Sequence, residues 1–116
     1  MIDFDRCWPW LEASIERYGH THGKDDIRHL IEQGRATLWP GSTSVVLTSF
    51  VHYPTGMKAI NGWLAGGDLA EICERVPMIE DWARDRGCHR VTVNGRRGWL
   101  RAVEGYREIG TRMAKD

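Results

Sequence analysis

The chain has 116 residues, sixteen basic against sixteen acidic, and 41% of its residues are hydrophobic, including six tryptophans. This length and apolar share predict one folded domain over residues 1–116 and argue against disorder. No apolar run approaches the ~18 residues of a membrane span, and the acidic, aromatic N-terminus is unlike a signal peptide. Three cysteines without a C-x-x-C pair favour a reducing cytoplasm and buried thiols over a zinc site.

The charges are unevenly distributed along the chain. Residues 1–81 hold seven Lys and Arg against twelve Asp and Glu, whereas residues 82–116 hold nine against four. Such asymmetry is typical of an interaction surface, and pairing of the two halves within the fold explains it equally well.

The first third of the chain predicts two helices. Apolar residues at helical spacing predict a helix over residues 6–18, with Pro9 in its first turn and Gly19 ending it. A second helix is predicted from Asp25 to Gln33, because two acids favour its N-terminus and Gly34 ends it.

The next three segments predict strands. "RATLWPG", "STSVVLTSFVHYP" and "GMKAINGWLAG" are rich in β-branched and aromatic residues and are separated by Pro- and Gly-containing turns. The connections are too short for crossover helices, so we expect an antiparallel meander.

"GGDLAEICERVPMIEDWARDRG" is the strongest helix signal, with Asp68 as N-cap and Gly87 as its end. Pro77 is expected to kink it or to split it. "CHRVTVNG" predicts a strand parallel to the last strand of the meander, "GWLRAVEG" a short helix or turn, and "YREIGTRMA" a final strand.

The predicted order is α-α-β-β-β-α-β-α-β. This order, with "ATLWPG", "WLAGGDLAEI", "EDWARDRGCHRVTVNGRRGW" and "GYREIGTRM", resembles the GCN5-related N-acetyltransferase (GNAT) fold, and in particular small GNAT-like proteins of phages and prophages. The resemblance implies an α+β, reduced GNAT-like domain, with a mostly antiparallel sheet, two N-terminal helices and one long central helix. It also implies a protein of the bacterial cytoplasm or of the phage particle.

The resemblance further implies where acetyl-CoA would bind. Active members carry Arg/Gln-x-x-Gly-x-Gly/Ala at a strand-to-helix turn, whose N–H groups hold the pyrophosphate at the positive helix end. The matching residues here are Gly66, Gly67, Asp68 and Leu69. The basic residue is missing, Asp68 occupies the N-cap, and Glu71 adds a second acid. We therefore expect a degenerate site without cofactor, with acetyl-CoA binding as the alternative.

Few residues suit catalysis in this sequence. Tyr106 lies near the position of a family tyrosine acid, and Glu104 or His52 could act as a base. Tyr106 could equally cover the core with its ring, and a histidine at a strand end is commonly solvated. We expect no catalytic residue.

The histidines and cysteines form two groupings, namely His20 and His22 with Cys7 or His29, and the adjacent pair Cys88 and His89. The first has loose spacing within a glycine-flanked turn, so no metal site is predicted. In the second, neighbouring side chains on a strand point to opposite faces, so a buried Cys88 is favoured over a nucleophile.

The basic segment "GRRGWLRAVEGY" contains Arg96, Arg97, Trp99 and Arg101, residue types enriched at protein interfaces. It predicts a docking face for other proteins, such as virion components or a second copy. The alternative is that Trp99 packs into the sheet while the arginines are solvated. Arginines also suit phosphate contacts, but neutral charge and the lack of a known motif argue against sequence-specific nucleic-acid binding. We favour a non-catalytic binding or structural module in virion assembly over an acetyl-CoA-dependent N-acetyltransferase.

Overall fold

Four helices and four strands follow one another in the computed structural model, which describes residues 2–95 and 98–116. In chain order they are α1 (Ile2–Glu16), α2 (Lys24–Glu32), β1 (Thr37–Pro40), β2 (Ser44–His52), β3 (Lys58–Gly67), α3 (Leu69–Asp85), β4 (Arg90–Val93) and α4 (Trp99–Ala102). Within those described ranges, no helix is long and apolar enough to cross a membrane.

The strands form one sheet in the order β1-β2-β3-β4. The β1–β2 and β2–β3 pairs are antiparallel, with Val46 opposite both Trp39 and Ala65, so the predicted meander is confirmed. β4 lies parallel to β3, with Ala59 opposite Arg90, as the sequence predicted. The chain is an α+β domain, and its four-stranded, mostly antiparallel sheet agrees with a reduced GNAT-like domain.

Each face of the sheet is covered by helices. On one face, Phe4, Leu11 and Ile15 of α1 pack with Leu47 and Leu64 of the sheet and with Ile27 of α2. On the other face, Ile72 and Ile79 of α3 pack against Ile60 and Val46. Val46 and Leu47 face opposite clusters because side chains alternate along a strand. The result is a three-layer arrangement with a core on each side of the sheet.

The tryptophans divide between these two cores, and all six are half-buried. Trp63 packs against the α1 side and Trp82 against the α3 side. The β2–β3 register shifts between Leu47 and Thr48, and this bulge lets Trp63 and the adjacent Leu64 face the same cluster. Trp82 stacks on Phe50 with ring centroids 5.5 Å apart.

Two prolines sit differently from expectation. α1 begins at Ile2, four residues before the predicted start, so Pro9 lies inside the helix and not in its first turn. Pro77 is expected from the sequence to kink α3 or to split it, and α3 runs without a break from Leu69 to Asp85, so Pro77 does not split it. Both prolines are exposed, and each removes one helical hydrogen bond at a position where solvent can satisfy the freed carbonyl. Burial of the opposite helix face outweighs that loss.

The predicted final strand is also wrong, because residues 106–116 form neither helix nor strand. This C-terminal segment is instead attached by side chains to two different layers. Tyr106 donates its hydroxyl to Glu80 of α3 at 2.8 Å, and the Arg112 guanidinium lies 5.7 Å from the ring centroid of Tyr18, just beyond α1. A strand needs hydrogen bonds to a neighbouring strand. The segment forms none, so its β-prone sequence does not become a strand.

Candidate functional site

The glycine turn, which we define as residues 65–71, joins β3 to α3. β4 pairs with β3 as far as Gly62, and β3 then continues through residues 63–67 before the helix begins. The N-terminus of α3 therefore lies beyond the point where β3 and β4 separate. This is the position that the resemblance gives to the cofactor, so its geometry decides what the turn can hold.

Asp68 caps the helix as predicted. Its carboxylate accepts a hydrogen bond from the Ala70 N–H at 3.2 Å, and its backbone has the extended conformation of an N-cap. The Asp68 N–H donates to the Thr43 carbonyl at 2.9 Å. Gly67, at φ +95°, brings the chain so close to the β1–β2 turn that a Cβ would overlap the Thr43 carbonyl oxygen. The N–H groups of Asp68 and Ala70 at the start of α3 are thus bound by the protein itself.

Glu71 closes the turn from the side of the β1–β2 connection. It accepts hydrogen bonds from the Ser44 hydroxyl, from the Thr43 hydroxyl at 3.2 Å, and from the Thr43 N–H at 3.2 Å. The Ser44 bond is the main reason that the pKa of Glu71 lies below its usual value. A Cβ at Gly41 would overlap this carboxylate. An ionised acid therefore fixes the β1–β2 turn across the start of α3.

Helix α1 covers the remaining side of the glycine turn. The Ala65 N–H donates to the Ser14 hydroxyl at 3.4 Å, and a Cβ at Gly66 would lie 2.8 Å from the Trp10 carbonyl oxygen. Gly66 and Gly67 are thus required for close packing of the protein's own elements. Sequence reasoning did not find Ser14 or Thr43, because contacts between residues so far apart leave no local pattern.

A second region, which we call the β4 cleft, lies between β4 and the C-terminal segment. Residues 90–95 form one wall, residues 105–112 the other, and the cavity volume is about 890 Å³. Its charged lining residues are Arg84, Arg90, Arg107, Arg112, Glu80, Glu104 and Glu108. The cleft therefore combines one edge of the sheet with a mixed but arginine-rich rim.

The comparisons with known proteins bear on the fold. No protein-family model and no curated protein matches the sequence. A similar solved structure is that of the ribosomal-protein-alanine N-acetyltransferase from Brucella melitensis biovar Abortus 2308, a GNAT-family protein. The two structures have a TM-score of 0.52 and 13% sequence identity, over 90% of this chain and 89% of that chain. The fold is GNAT-like. At that identity the likeness concerns the fold alone.

Two candidate catalytic residues of this GNAT-like domain lie in the β4 cleft, and the third does not. Tyr106 and Glu104 both line it, whereas His52 is exposed at the end of β2. Burial, and then the hydrogen bond to Glu80, raise the pKa of the half-buried Tyr106. A tyrosine whose proton is held by a neighbouring carboxylate is a poor proton donor to a leaving group.

The remaining histidines and cysteines lie apart. Cys88 is buried against the α3-side core, while His89 is exposed and its Nδ1 accepts from the Lys58 N–H at 3.1 Å, so the predicted divergence is confirmed. His20 contacts Glu16, and His22 lies edge-on to Trp63. Among residues 2–95 and 98–116, no group of three His, Cys, Asp or Glu is placed to hold a metal ion.

The basic segment predicted as a docking face is described in part. Arg96 and Arg97 lie outside the described residues. Trp99 packs against the α3-side core and leaves no free space above Gly95, where a Cβ would lie 3.2 Å from the Trp99 ring. Arg101 is exposed on α4. Sequence reasoning did not single out Arg90 or Arg107 as part of a site, although the charge excess after residue 82 was the signal that could have found them.

Proposed function

We propose that this protein is a non-catalytic, GNAT-like protein-binding module. The observation that carries the proposal is the closed glycine turn. Asp68 takes the Ala70 N–H, Glu71 holds the Thr43–Ser44 connection, and Trp10 lies against Gly66. The Ala70 N–H, one of the groups with which a helix N-terminus would bind a phosphate, is already used within the fold, and Thr43 and Trp10 lie where a ligand would approach Gly66 and Gly67.

Electrostatics add to this steric closure. A pyrophosphate at the start of α3 would meet the carboxylates of Asp68 and Glu71. Two like charges at ~4 Å repel by about 1 kcal/mol even in bulk water, and by more in a cleft with a lower dielectric constant. The low pKa of Glu71 keeps that residue ionised at neutral pH. Acetyl-CoA would therefore have to displace protein contacts and overcome negative charge.

The finer proposal is that the module serves virion assembly in a phage or prophage, in the host cytoplasm or in the particle. It rests on the resemblance of "WLAGGDLAEI" and "GYREIGTRM" to small phage-encoded GNAT-like proteins. Docking would use Arg96, Arg97, Trp99 and Arg101, with virion proteins or a second copy as partner. A position of the gene beside portal, terminase or neck genes would support this assignment.

The first experiment is a thermal-shift titration with acetyl-CoA. We expect no saturable stabilisation of the wild type, whereas stabilisation at micromolar ligand would overturn the non-catalytic function. The matched variant is Asp68→Ser with Glu71→Gln, because serine still caps a helix and glutamine still accepts hydrogen bonds while both charges are removed. We expect this variant to bind no acetyl-CoA either, since Thr43 and Trp10 still close the turn.

The second experiment tests the docking face. Arg96, Arg97 and Arg101 are replaced by Ala, and the control replaces Arg17, Arg35 and Lys115, which carry the same charge and do not line the β4 cleft. Immobilised variants are compared for retention of virion proteins of the encoding phage. We expect loss in the first variant only, with unchanged thermal unfolding in both. Equal retention by both variants would contradict the assignment of the face.

An acetyltransferase remains the second candidate, because Tyr106 and Glu104 share one cleft in a GNAT-like fold. It predicts release of CoA from acetyl-CoA in the presence of amine substrates, including peptides with N-terminal alanine. Turnover that disappears in Tyr106→Phe and Glu104→Gln would favour this candidate. Absence of turnover together with absence of acetyl-CoA binding would dismiss it.

A further inference from the structure

The outer edge of β4 is open towards the β4 cleft. β4 is the last strand of the sheet, and its other neighbour is β3. The Asn94 N–H donates to the Gly62 carbonyl on β3 at 2.9 Å, and N–H groups alternate in direction along a strand. The Thr92 carbonyl also faces β3, since its oxygen lies 3.7 Å from the position of a Cβ at Gly62. The N–H groups of Val91 and Val93 therefore point away from β3. An edge of this kind is a template for another strand.

The C-terminal segment does not fill that edge. Its two attachments, Tyr106 to Glu80 and Arg112 to Tyr18, lie on opposite helical layers, so the segment spans the sheet edge without pairing to it. The space between it and β4 is the cleft itself, about 890 Å³. An extended chain can therefore enter beside β4 without displacing a strand of the sheet.

The rim of the cleft offers unpaired positive charge. Within the described part of the chain, Arg90 and Arg107, which line the cleft, and Arg101 on the neighbouring α4 have no acidic partner. Three glutamates oppose the four arginines of the lining, and of these Glu80 is bound to Tyr106 and Glu108 accepts from the Thr111 hydroxyl. The cleft thus presents free guanidinium groups beside free backbone donors, a combination that suits carboxylates on an extended chain.

We propose that the β4 edge binds an acidic, extended segment of a partner protein, which joins the sheet as a fifth strand. This inference rests on the proposed protein-binding function and names the chemistry of the partner. A second copy of this chain fits less well, since its C-terminal segment, which is outside the sheet, carries two arginines and one glutamate in residues 106–112. The acids of the first 81 residues lie largely in α1, α2 and α3, where they are unable to form a strand.

The probe is a blocked ten-residue peptide that alternates glutamate with valine. Two control peptides replace glutamate by lysine or place two prolines at the centre, where they remove strand hydrogen bonds. Binding is measured by calorimetry, and amide hydrogen exchange locates it. We expect the glutamate peptide alone to bind, more weakly at high salt, and to slow exchange at Val91 and Val93 at least tenfold.

Three variants separate charge from backbone pairing. Arg90→Gln with Arg107→Gln keeps every N–H group and should weaken binding roughly three- to tenfold, as expected for two exposed charges. Val91→Ala and Val91→Pro both remove the valine side chain, but only proline removes the outward N–H group. Proline is tolerated on an edge strand where its missing N–H would face away from the sheet, so we expect similar thermal unfolding of the two variants and a further loss of binding in Val91→Pro.

Unchanged exchange at β4, or equal binding of the lysine peptide, overturns strand addition. Concentration-dependent dimerisation with protection of Val91 and Val93 in the absence of peptide overturns the acidic partner in favour of a second copy. If strand addition fails while Ala substitution of Arg96, Arg97 and Arg101 still reduces partner retention, the proposed function stands. Saturable binding of acetyl-CoA removes the proposed function, whatever the peptide does.

Discussion

The glycine turn follows β3 and the β4 cleft lies beside β4, and these two regions differ in how their polar groups are used. In the glycine turn, the described groups bind one another, as Asp68, Glu71 and Ser14 each accept a hydrogen bond from a nearby N–H. In the β4 cleft, a strand edge and the guanidinium groups of Arg90 and Arg107 remain open.

The difference shows that the fold of a region and its free polar groups are separate properties. A strand-to-helix turn is a favourable anion site while its N–H groups are free and no acid lies beside them. Here Asp68 takes the Ala70 N–H, and both Asp68 and Glu71 are acidic. The sheet edge keeps its capacity because the segment after Gly105 is attached elsewhere. A GNAT-like fold therefore does not decide where a ligand binds. The unpaired groups do.

The most disruptive test of this contrast is Gly67→Ala. The substitution introduces a Cβ at φ +95° that overlaps the Thr43 carbonyl, and it should lower the unfolding free energy by roughly 2–4 kcal/mol through backbone strain and overpacking. The control is Gly110→Ala in the C-terminal segment, where a Cβ meets nothing within 4 Å and where we expect a change within about 0.5 kcal/mol. Urea unfolding measures both. Equal stability of the two variants would mean that the glycine turn is not closed by Thr43.

Tyr106→Phe tests how the C-terminal segment is attached to α3, and we expect a smaller loss of stability than for Gly67→Ala. Loss of the hydrogen bond to Glu80 should reduce stability by about 1 kcal/mol at neutral pH. Because folding raises the pKa of Tyr106, its contribution is present below the unfolded tyrosine value of 10.0 and falls as the pH rises above it. The gap between wild type and variant should therefore narrow between pH 7 and about pH 10.5, as measured by urea unfolding. A constant gap would show that the hydroxyl is not selectively held in its protonated form.

The smallest effect is expected for Glu71→Gln, which keeps the acceptor oxygen and removes the charge. The pKa of Glu71 is lowered by folding, so its charged form contributes stability above the unfolded value of 4.5, and this contribution is lost as the pH falls. The wild type should lose more thermal stability than the variant between about pH 5 and pH 3. Parallel pH profiles would indicate that the Ser44 and Thr43 contacts do not depend on ionisation.

Much of the fold could be predicted from local patterns. The helical stripe between Leu69 and Ala83 identified α3, and the short turns around Gly41 and Gly56 identified the meander. The parallel placement of β4 followed from the intervening helix. These features depend on periodicity and turn chemistry, which are encoded within a few residues.

The features that the sequence did not predict share another cause, since each of them depends on contacts between residues that are distant in sequence. Whether Tyr106 begins a strand is decided by Glu80 and by the absence of a ladder on the segment that follows, not by β-propensity. The continuity of α3 through Pro77 depends on the core beneath it. For the site, Asp68 was foreseen as the N-cap, but its N–H contact with Thr43 was not.

The bond from Ala65 to Ser14 also has a kinetic consequence. It joins residues 51 positions apart, whereas the β1–β2 and β2–β3 hairpins close over a few residues each. Loop closure costs more entropy for the longer separation, and local hairpins form within microseconds. We expect α1, although it is first in the chain, to dock late, on a meander that has already formed. Helix α1, which covers the glycine turn, would then complete the α1-side core at the end of folding.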